Sequence, residues 1–405
     1  MLTLLVRSMR PSIAKSWIGH TLIFAVAVIA AACRLDFPRA AADSLDFTQQ
    51  VIRVGKGPGF VAVADVNHDG KPDLIVANED DGTISVLLGD GAGHFTPAPG
   101  SPFACNPYPN DIAVVDMNGD GNPDLVIANH QTPYITILLG DGKGGFKPAP
   151  HSPFATQSHP HPHGVTVGGF LDDDKPAVVT DSPDNGRILL IPSDGKGNLI
   201  LPGTFFDSGG PYSDQGLRAG HFTGSGHLDV VTAGYHSNAV GLLLGDGHGG
   251  FRQAPGSPFP AGGNAFAFAL DDVNRDGNLD VLVIPYERDL QDRSKLGVTV
   301  LLGDGKGGFT TMPGSPLSLE GCRGPARVAA GNVRGDGLHD IVVSCAQNDR
   351  LFFFLARKDG SFETAVRTIP TGWGGLTVSD LEARGKDDVI VSNHNSGTIT
   401  VLLSK

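Results

Sequence analysis

From Phe60 onward, apolar and polar positions recur in one order: a short apolar run, an acidic turn, a second apolar run, a Gly-rich break, an alternating strand and then GDGxGGF. Two copies show it most fully. VAVADVNHDGKPDLIVAN begins at Val61 and IAVVDMNGDGNPDLVIAN at Ile112, and each runs on into a strand, TISVLLGDG or ITILLGDG. Aligning the first position of each acidic turn gives Asp65, Asp116, Gly169, His221, Asp272, Asn332 and Asp380, with steps of 51, 53, 52, 51, 60 and 48 residues. A period of about fifty with four short strands per unit predicts propeller blades, because one four-stranded blade cannot bury both faces alone. Seven turns therefore predict seven blades.

The chain ends fit that count. The last unit stops after GTITVLLSK, one strand short, while Leu45-Asp46-Phe47 followed by residues 48–54 fits the vacant slot. Thr48 to Val54 is expected to pair with Thr398 to Leu403, closing the ring and hiding two sheet edges. The expected fold is all-β: a seven-bladed propeller of four-stranded antiparallel blades over residues 43–405, closed by its terminal strands. Gly 56 and Pro 29 make roughly a fifth of the 405 residues, against an ordinary level of about 12 %, which suits a chain broken into many short strands.

Residues 1–42 read as a signal peptide or N-terminal anchor with a short linker. Arg7, Arg10 and Lys15 precede an apolar stretch from Trp17 to Ala32, followed by small residues, the order of a secretory signal. That stretch, with His20 inside it, is short of the roughly 20 residues of a bilayer span. Three alternatives stay open: cleavage near Ala40-Ala41-Ala42, an uncleaved anchor, or lipidation of Cys33 in Ile29-Ala30-Ala31-Ala32-Cys33, where Ala30 stands in place of the usual Leu. Each implies export, to a secreted, periplasmic or envelope-attached state, with membrane contact only through the anchor or the lipid. A monomer is expected.

The formal charge of -13 excludes an ordinary nucleic-acid binder, which needs basic surface to displace counterions. The acids have another use. Asp65, Asn67, Asp69 and Asp73 place oxygen side chains at turn positions one, three, five and nine, with Gly70 free to take a positive φ at position six. Asp116, Asn118, Asp120 and Asp124 repeat this pattern, as do Asp272, Asn274, Asp276 and Asp280. An all-oxygen set with irregular geometry suits calcium, and these are the three expected Ca2+ sites. Asx-rich turns also satisfy their own backbone, but gathering four such groups three times over without a cation would be costly. The remaining turns are degenerate: Asp173 and Asp229 are single acids, and Arg334 and Arg384 stand where a fixed guanidinium replaces a metal.

The turns and spacing resemble those of the FG-GAP/VCBS family, which includes integrin-alpha-like propellers, some fungal lectins and propeller-bearing polysaccharide lyases. The resemblance covers about Phe47 to Lys405. It implies the fold strongly and an activity weakly, since one propeller supports unrelated functions.

Propeller connectivity puts the acidic turns and the GDGxGGF hairpins on one face. The opposite face then collects residues 106–110, His159-Pro-His161-Pro-His163, residues 211–218, 321–327 and 371–375, with Asn129-His130, Tyr235-His236, Asn393-His394 and the long segment 285–297. Variable loops on a rigid ring are places for recognition. Tyr108, Tyr212, Tyr235 and Trp373 are candidate sugar-stacking residues, with Asn129, Asn393, His130, His163 and His394 as hydrogen-bonding partners. No Gly-x-Ser-x-Gly, HExxH or separate catalytic acid pair is present. Two readings stand: a non-enzymatic module binding carbohydrate or a cell-surface or extracellular partner, and a polysaccharide-active, lyase-like enzyme using His163, His130 or Tyr212 as base. Cys322 and Cys345 flank the first two strands of the sixth unit, where a disulfide is possible, and Cys105 is expected to stay free.

Overall fold

The structure, a computed structural model, describes residues 45–156, 162–182, 186–210, 216–234, 238–290 and 292–405. The N-terminal segment with Cys33, His159 and His161, and Tyr212 and Tyr235 lie outside the described residues.

Seven antiparallel sheets of sequence-adjacent strands form the ring. Blade 1 runs outward through Pro58–Ala64, Asp73–Asn78, Thr83–Gly89 and Phe95–Pro97. Blades 2 to 6 repeat it, with inner strands Pro109–Val115, Val165–Gly168, Leu217–Gly220, Ala265–Asp271 and Pro325–Gly331. In blade 7 the strands Leu376–Ser379, Asp388–Asn393 and Thr398–Ser404 are completed by Phe47–Arg53, which pairs in register from Phe47 with Ser404 to Arg53 with Thr398. The ring closes as expected.

Strand patterning follows from where each strand sits. The second strands, DLIVAN in blade 1 and DLVIAN in blade 2, are buried at every position because another blade covers each face. Side chains still alternate: Ile75 and Ala77 join Leu125, Ile127 and Leu138 of blade 2, while Leu74 and Val76 join Ile390, Ile399 and Val401 of blade 7. The outer closing strand FTQQVIR has one wet face and is mostly exposed or half-buried.

Blades 1, 2, 4 and 5 carry one element beyond the expected four, a two-residue strand after a Ser-Pro step: Phe103–Ala104, Phe154–Ala155, Phe259–Pro260 and Leu317–Ser318. Each pairs with the third strand of its blade. Proline offers no N–H to the ladder, so the outer strand breaks there, and the preceding serine hydroxyl fills the gap by accepting the N–H of Val86, Ile137, Leu242 or Val300.

The acidic turns and the GDG hairpins share a face and bind each other across blade boundaries. Gly144 of blade 2 donates to the Val66 carbonyl of blade 1, Gly197 to Met117, Gly249 to Phe170 and Gly307 to Phe222. On the opposite face Cys322 and Cys345 are joined by a disulfide with Cα atoms 5.5 Å apart, and Cys105 is free.

Candidate functional site

Two sets of polar residues stand out, one on each face. Each acidic turn is built on a buried residue at position two: Val66, Met117, Phe170, Phe222, Val273, Val333 and Leu381 are all at most 7 % exposed. The position-nine acid lies beneath it. In blade 1, Asp73 is fully buried and accepts the Val66 N–H at 2.9 Å and the Gly89 N–H at 2.8 Å, tying the turn to the end of the third strand. Asp124, Asp229, Asp280 and Asp388 do the same in their blades. In blade 6, Asp340 accepts the Ala356 N–H at the strand end and otherwise faces Arg334. Blade 3 has Ala177 there.

Above that floor, Asp65 caps the loop by accepting the N–H groups of Asn67, Asp69 and Gly70 at 3.3, 3.2 and 2.8 Å, and Asn67 accepts from Asp69 at 3.1 Å. Gly70 carries the positive φ of 79° that this tight wrap requires. Asp116 and Asp272 cap their turns in the same way. Burial pushes the Asp124 carboxyl up to about 6, with Asp120 and Asp116 adding to the rise against two backbone hydrogen bonds. Asp280 is pushed up to about 6 by burial, Asp276 and Asp272.

The sixth turn shows what relieves such crowding. Arg334, at position three, lays its guanidinium on Asp340 at 2.9 to 3.2 Å and on Asp336 at 3.2 Å. In the seventh, Arg384 contacts Glu382 and lies 3.9 Å from Asp388. A positive group thus sits among the turn's acids where the sequence supplies one. In turns 1, 2 and 5 no guanidinium pairs with the acids among the described residues: Asp120 and Asp276 accept the Asn118 and Asn274 amides at 3.0 Å, and Asp69 lies 3.8 Å from Lys71. The oxygens at positions one, three, five and nine of these turns make a donor set that fits a hard divalent cation. Among the described residues no three His, Cys, Asp or Glu side chains are gathered as a ready metal cage, so Asn amides and backbone carbonyls would have to share the coordination. Turn 4 is occupied by its own hydroxyls, Thr223 bonding Ser225 and Asp229, and in turn 3 Asp173 pairs with Lys175.

On the opposite face the inner strands begin and the second strands end, so their terminal residues converge on the ring axis. They line a cavity of about 580 Å³ that includes Phe60, Glu79, Asp111, His130, His163, Arg218 and Arg327. His130 Nδ1 lies 3.1 Å from Glu79, and the His130 and His163 rings are 4.7 Å apart. Behind them His163 Nδ1 is 3.6 Å from the fully buried Asp181, whose other oxygen accepts the His163 and Gly164 N–H groups. Arg218 crosses from blade 4 to grip Asp111 of blade 2 through two bonds of 2.7 and 3.2 Å, and its guanidinium carbon stands 5.6 Å from the Phe60 ring centre. Burial raises the Glu79 carboxyl, but the His130 hydrogen bond and the charges of His130, His394 and Arg327 outweigh it and hold the group below its ordinary value.

The expected ligand residues divide. His130 and His163 line the cavity, and His394 stands 3.8 Å from the rear oxygen of Glu79. Trp373, 37 % exposed, meets Phe266 of the cavity wall edge-on at 6.4 Å. Tyr108 is exposed but outside the lining, and its carbonyl holds the His130 N–H at 2.7 Å. Asn129 is a correction to the expectation: it is fully buried, and its amide is spent on the carbonyls of Asn106 and Pro107 and the Thr136 hydroxyl. Sequence reasoning missed Glu79, Asp111, Arg218 and Arg327 individually. For Asp111 and Arg327 the available signal was a charge at an otherwise apolar or Gly position of an inner strand; Arg218 stands three residues before its turn, and Glu79 follows the second strand Asp73–Asn78. Five residues before the turn stand Phe60, Asp111, Gly164, Gly216, Ala267, Arg327 and Gly375.

The FG-GAP-like repeat model matches residues 65–127, 116–180 and 221–283, placing its units on the acidic turns. No curated protein sequence matches the chain. Solved structures share the architecture at low identity. An Agrocybe aegerita lectin for non-reducing terminal N-acetylglucosamine is 16 % identical with a TM-score of 0.54, covering 86 % of this chain and 87 % of its own. A putative 6-phosphogluconolactonase from Bacteroides uniformis is 14 % identical with a TM-score of 0.55, covering 88 % and 92 %. Virginiamycin B lyase from Staphylococcus aureus is 14 % identical with a TM-score of 0.51, covering 88 % and 99 %. At such identities the likeness is one of fold alone; the repeat model and the turn spacing agree with the ring of seven sheets: the chain is a seven-bladed β-propeller with FG-GAP-like repeats over residues 65–180 and 221–283.

Proposed function

We propose that this protein is an exported, calcium-binding propeller whose channel mouth binds a carbohydrate or another extracellular partner. An FG-GAP repeat propeller suggests a binding module, and the charge-apolar-small order of residues 1–42 supports export. The observation that carries the reading is the mouth itself. Imidazole, carboxylate, guanidinium and aromatic groups from six blades line one concave site on a rigid ring, the usual form of a small-ligand pocket. The lectin that shares the fold supports sugar recognition as one use of such a ring.

Calcium would be held by Asp65, Asn67, Asp69 and Asp73, by Asp116, Asn118, Asp120 and Asp124, and by Asp272, Asn274, Asp276 and Asp280. When bound it would supply the positive charge that Arg334 supplies in turn 6. These turns belong to the face opposite the mouth, so the ion serves the scaffold and the loops serve recognition. Retention of purified protein on a panel of neutral and acidic polysaccharides tests this: His130→Ala with His163→Ala should weaken retention about tenfold or more while leaving the calcium-dependent melting shift intact. Equal retention by wild type and double variant would place binding elsewhere.

A lyase-like activity is favoured by one observation, the His130 imidazole oriented by Glu79 beside His163, since a carboxylate-oriented imidazole is the form of a general base. New unsaturated ends released from the same panel by wild type, and not by the double variant, would establish it.

A further inference from the structure

Arg327 differs from every other charge at the mouth. Arg218 is held by Asp111, and Glu79 is held by His130 with His394 behind it. Asp111 is saturated, accepting the N–H groups of Ile112 and Val165 as well as the Arg218 fork. Arg327 lines the same cavity at the start of the blade 6 inner strand, yet among the described residues no carboxylate comes within 4.0 Å of it. The one bond its side chain makes there is from Nη1 to the Ala326 carbonyl at 2.8 Å. Asp111 and Glu79 act on it only through space, and burial pulls it below the ordinary arginine value. A half-buried guanidinium that lines the cavity with most of its five donors unspent on the described protein groups is placed to receive an anion.

We propose that Arg327 is the anion-recognition residue of the mouth and that the ligand carries a carboxylate, as a uronic-acid sugar does. This rests on the binding-site reading above and narrows its ligand class. One guanidinium fork matches the two oxygens of a carboxylate. With Glu79 and Asp111 already near Arg327, a monoanion suits the mouth, whereas a phosphate dianion would bring two further negative charges up to them. Phe60 and Phe266 supply apolar wall on either side for the body of a ring.

The test uses the mature protein and Arg327→Met, followed by thermal melting and by titration calorimetry with sodium glucuronate, oligogalacturonate, its methyl ester and inorganic phosphate. Without ligand, Arg327→Met should melt at or above the wild-type temperature, because it removes a charge that has no carboxylate within 4.0 Å among the described residues. Glucuronate and oligogalacturonate should raise the melting temperature of wild type only, and the variant should lose about tenfold or more in affinity, the usual worth of a charge-assisted pair. A variant that melts well below wild type would make Arg327 a structural residue and overturn the proposal. Equal binding of the acid and its methyl ester, or stronger binding of phosphate, would overturn the carboxylate assignment while leaving the mouth as a binding site. Binding of a neutral glycan unaffected by Arg327→Met would do the same.

Discussion

A single side chain decides the character of several sites in this ring. In turn 6, Arg334 bridges Asp336 and the fully buried Asp340, whereas turns 1, 2 and 5 have Asn at the same position. Arg334→Asn would put an amide beside Asn332, Asp336 and Asp340, an oxygen set like that of turn 1. In chelator the variant should lose about 3 kcal/mol, the scale for removing one partner of a buried pair. Calcium should restore much of that loss in Arg334→Asn and not in Arg334→Met, as read by denaturant unfolding with and without the ion. If calcium leaves Arg334→Asn unchanged, the guanidinium does not mark a cation position.

The turn as an element separates two kinds of acid that look alike in sequence. Asp73 is buried and fastens Val66 to Gly89, while Asp69 is exposed and serves only the loop. Asp73→Ala should cost about 2 to 4 kcal/mol even in chelator, because two backbone donors lose a charged acceptor. Asp69→Ala should cost under about 1 kcal/mol in chelator. It should nonetheless reduce the calcium-induced melting shift, and with Asp120→Ala and Asp276→Ala it should abolish it. Loss of one site at a hundredfold excess of ion over Kd is worth roughly 2.7 kcal/mol.

The same element fixes a pH dependence. Asp124 and Asp280 have folded values of about 6, above an unfolded value of about 3.9, so without metal the folded state binds more protons between these limits. Their protonation stabilises the metal-free fold as pH falls through that window, and that contribution is lost as pH rises through about 6. Calcium needs the ionised form, so its melting shift should be largest near about pH 7 and shrink steadily towards about pH 5. A shift that stays constant over that range would remove these two carboxylates from the coordination.

At the scale of the whole molecule, closure is the feature on which the blades depend. Phe47–Arg53 completes blade 7, and the Phe47 ring stacks on Phe353 of blade 6 at 5.6 Å between centres. A chain starting at Gly55 should expose the edge of Thr398–Ser404, melt at a lower temperature and form aggregates visible by size exclusion. A truncated chain that stays monomeric with an unchanged melt would show that the seven blades hold without the closing strand.

The sequence by itself determined the number of blades, the closing strand, the shared face of turns and hairpins, and the three acidic turns with oxygen at four positions. All of these are local patterns repeated at a period of about fifty residues, and repetition carries its own register. Burial at position two and a buried acid at position nine follow from that pattern too, since a turn floor must be apolar and its orphan N–H groups must find acceptors. The extra strand after each Ser-Pro step was not legible, because two residues carry no periodicity. The mouth was decided only by tertiary structure. Glu79, Asp111, Arg218 and Arg327 come from blades 1, 2, 4 and 6, and Asp111 and Arg218, two ends of one ion pair, lie 107 residues apart in the chain. Nothing local links such positions. Ring closure brings all seven inner strands to one axis, and only there does Asp111 become the partner of Arg218 while Arg327 faces the cavity with no carboxylate within 4.0 Å among the described residues.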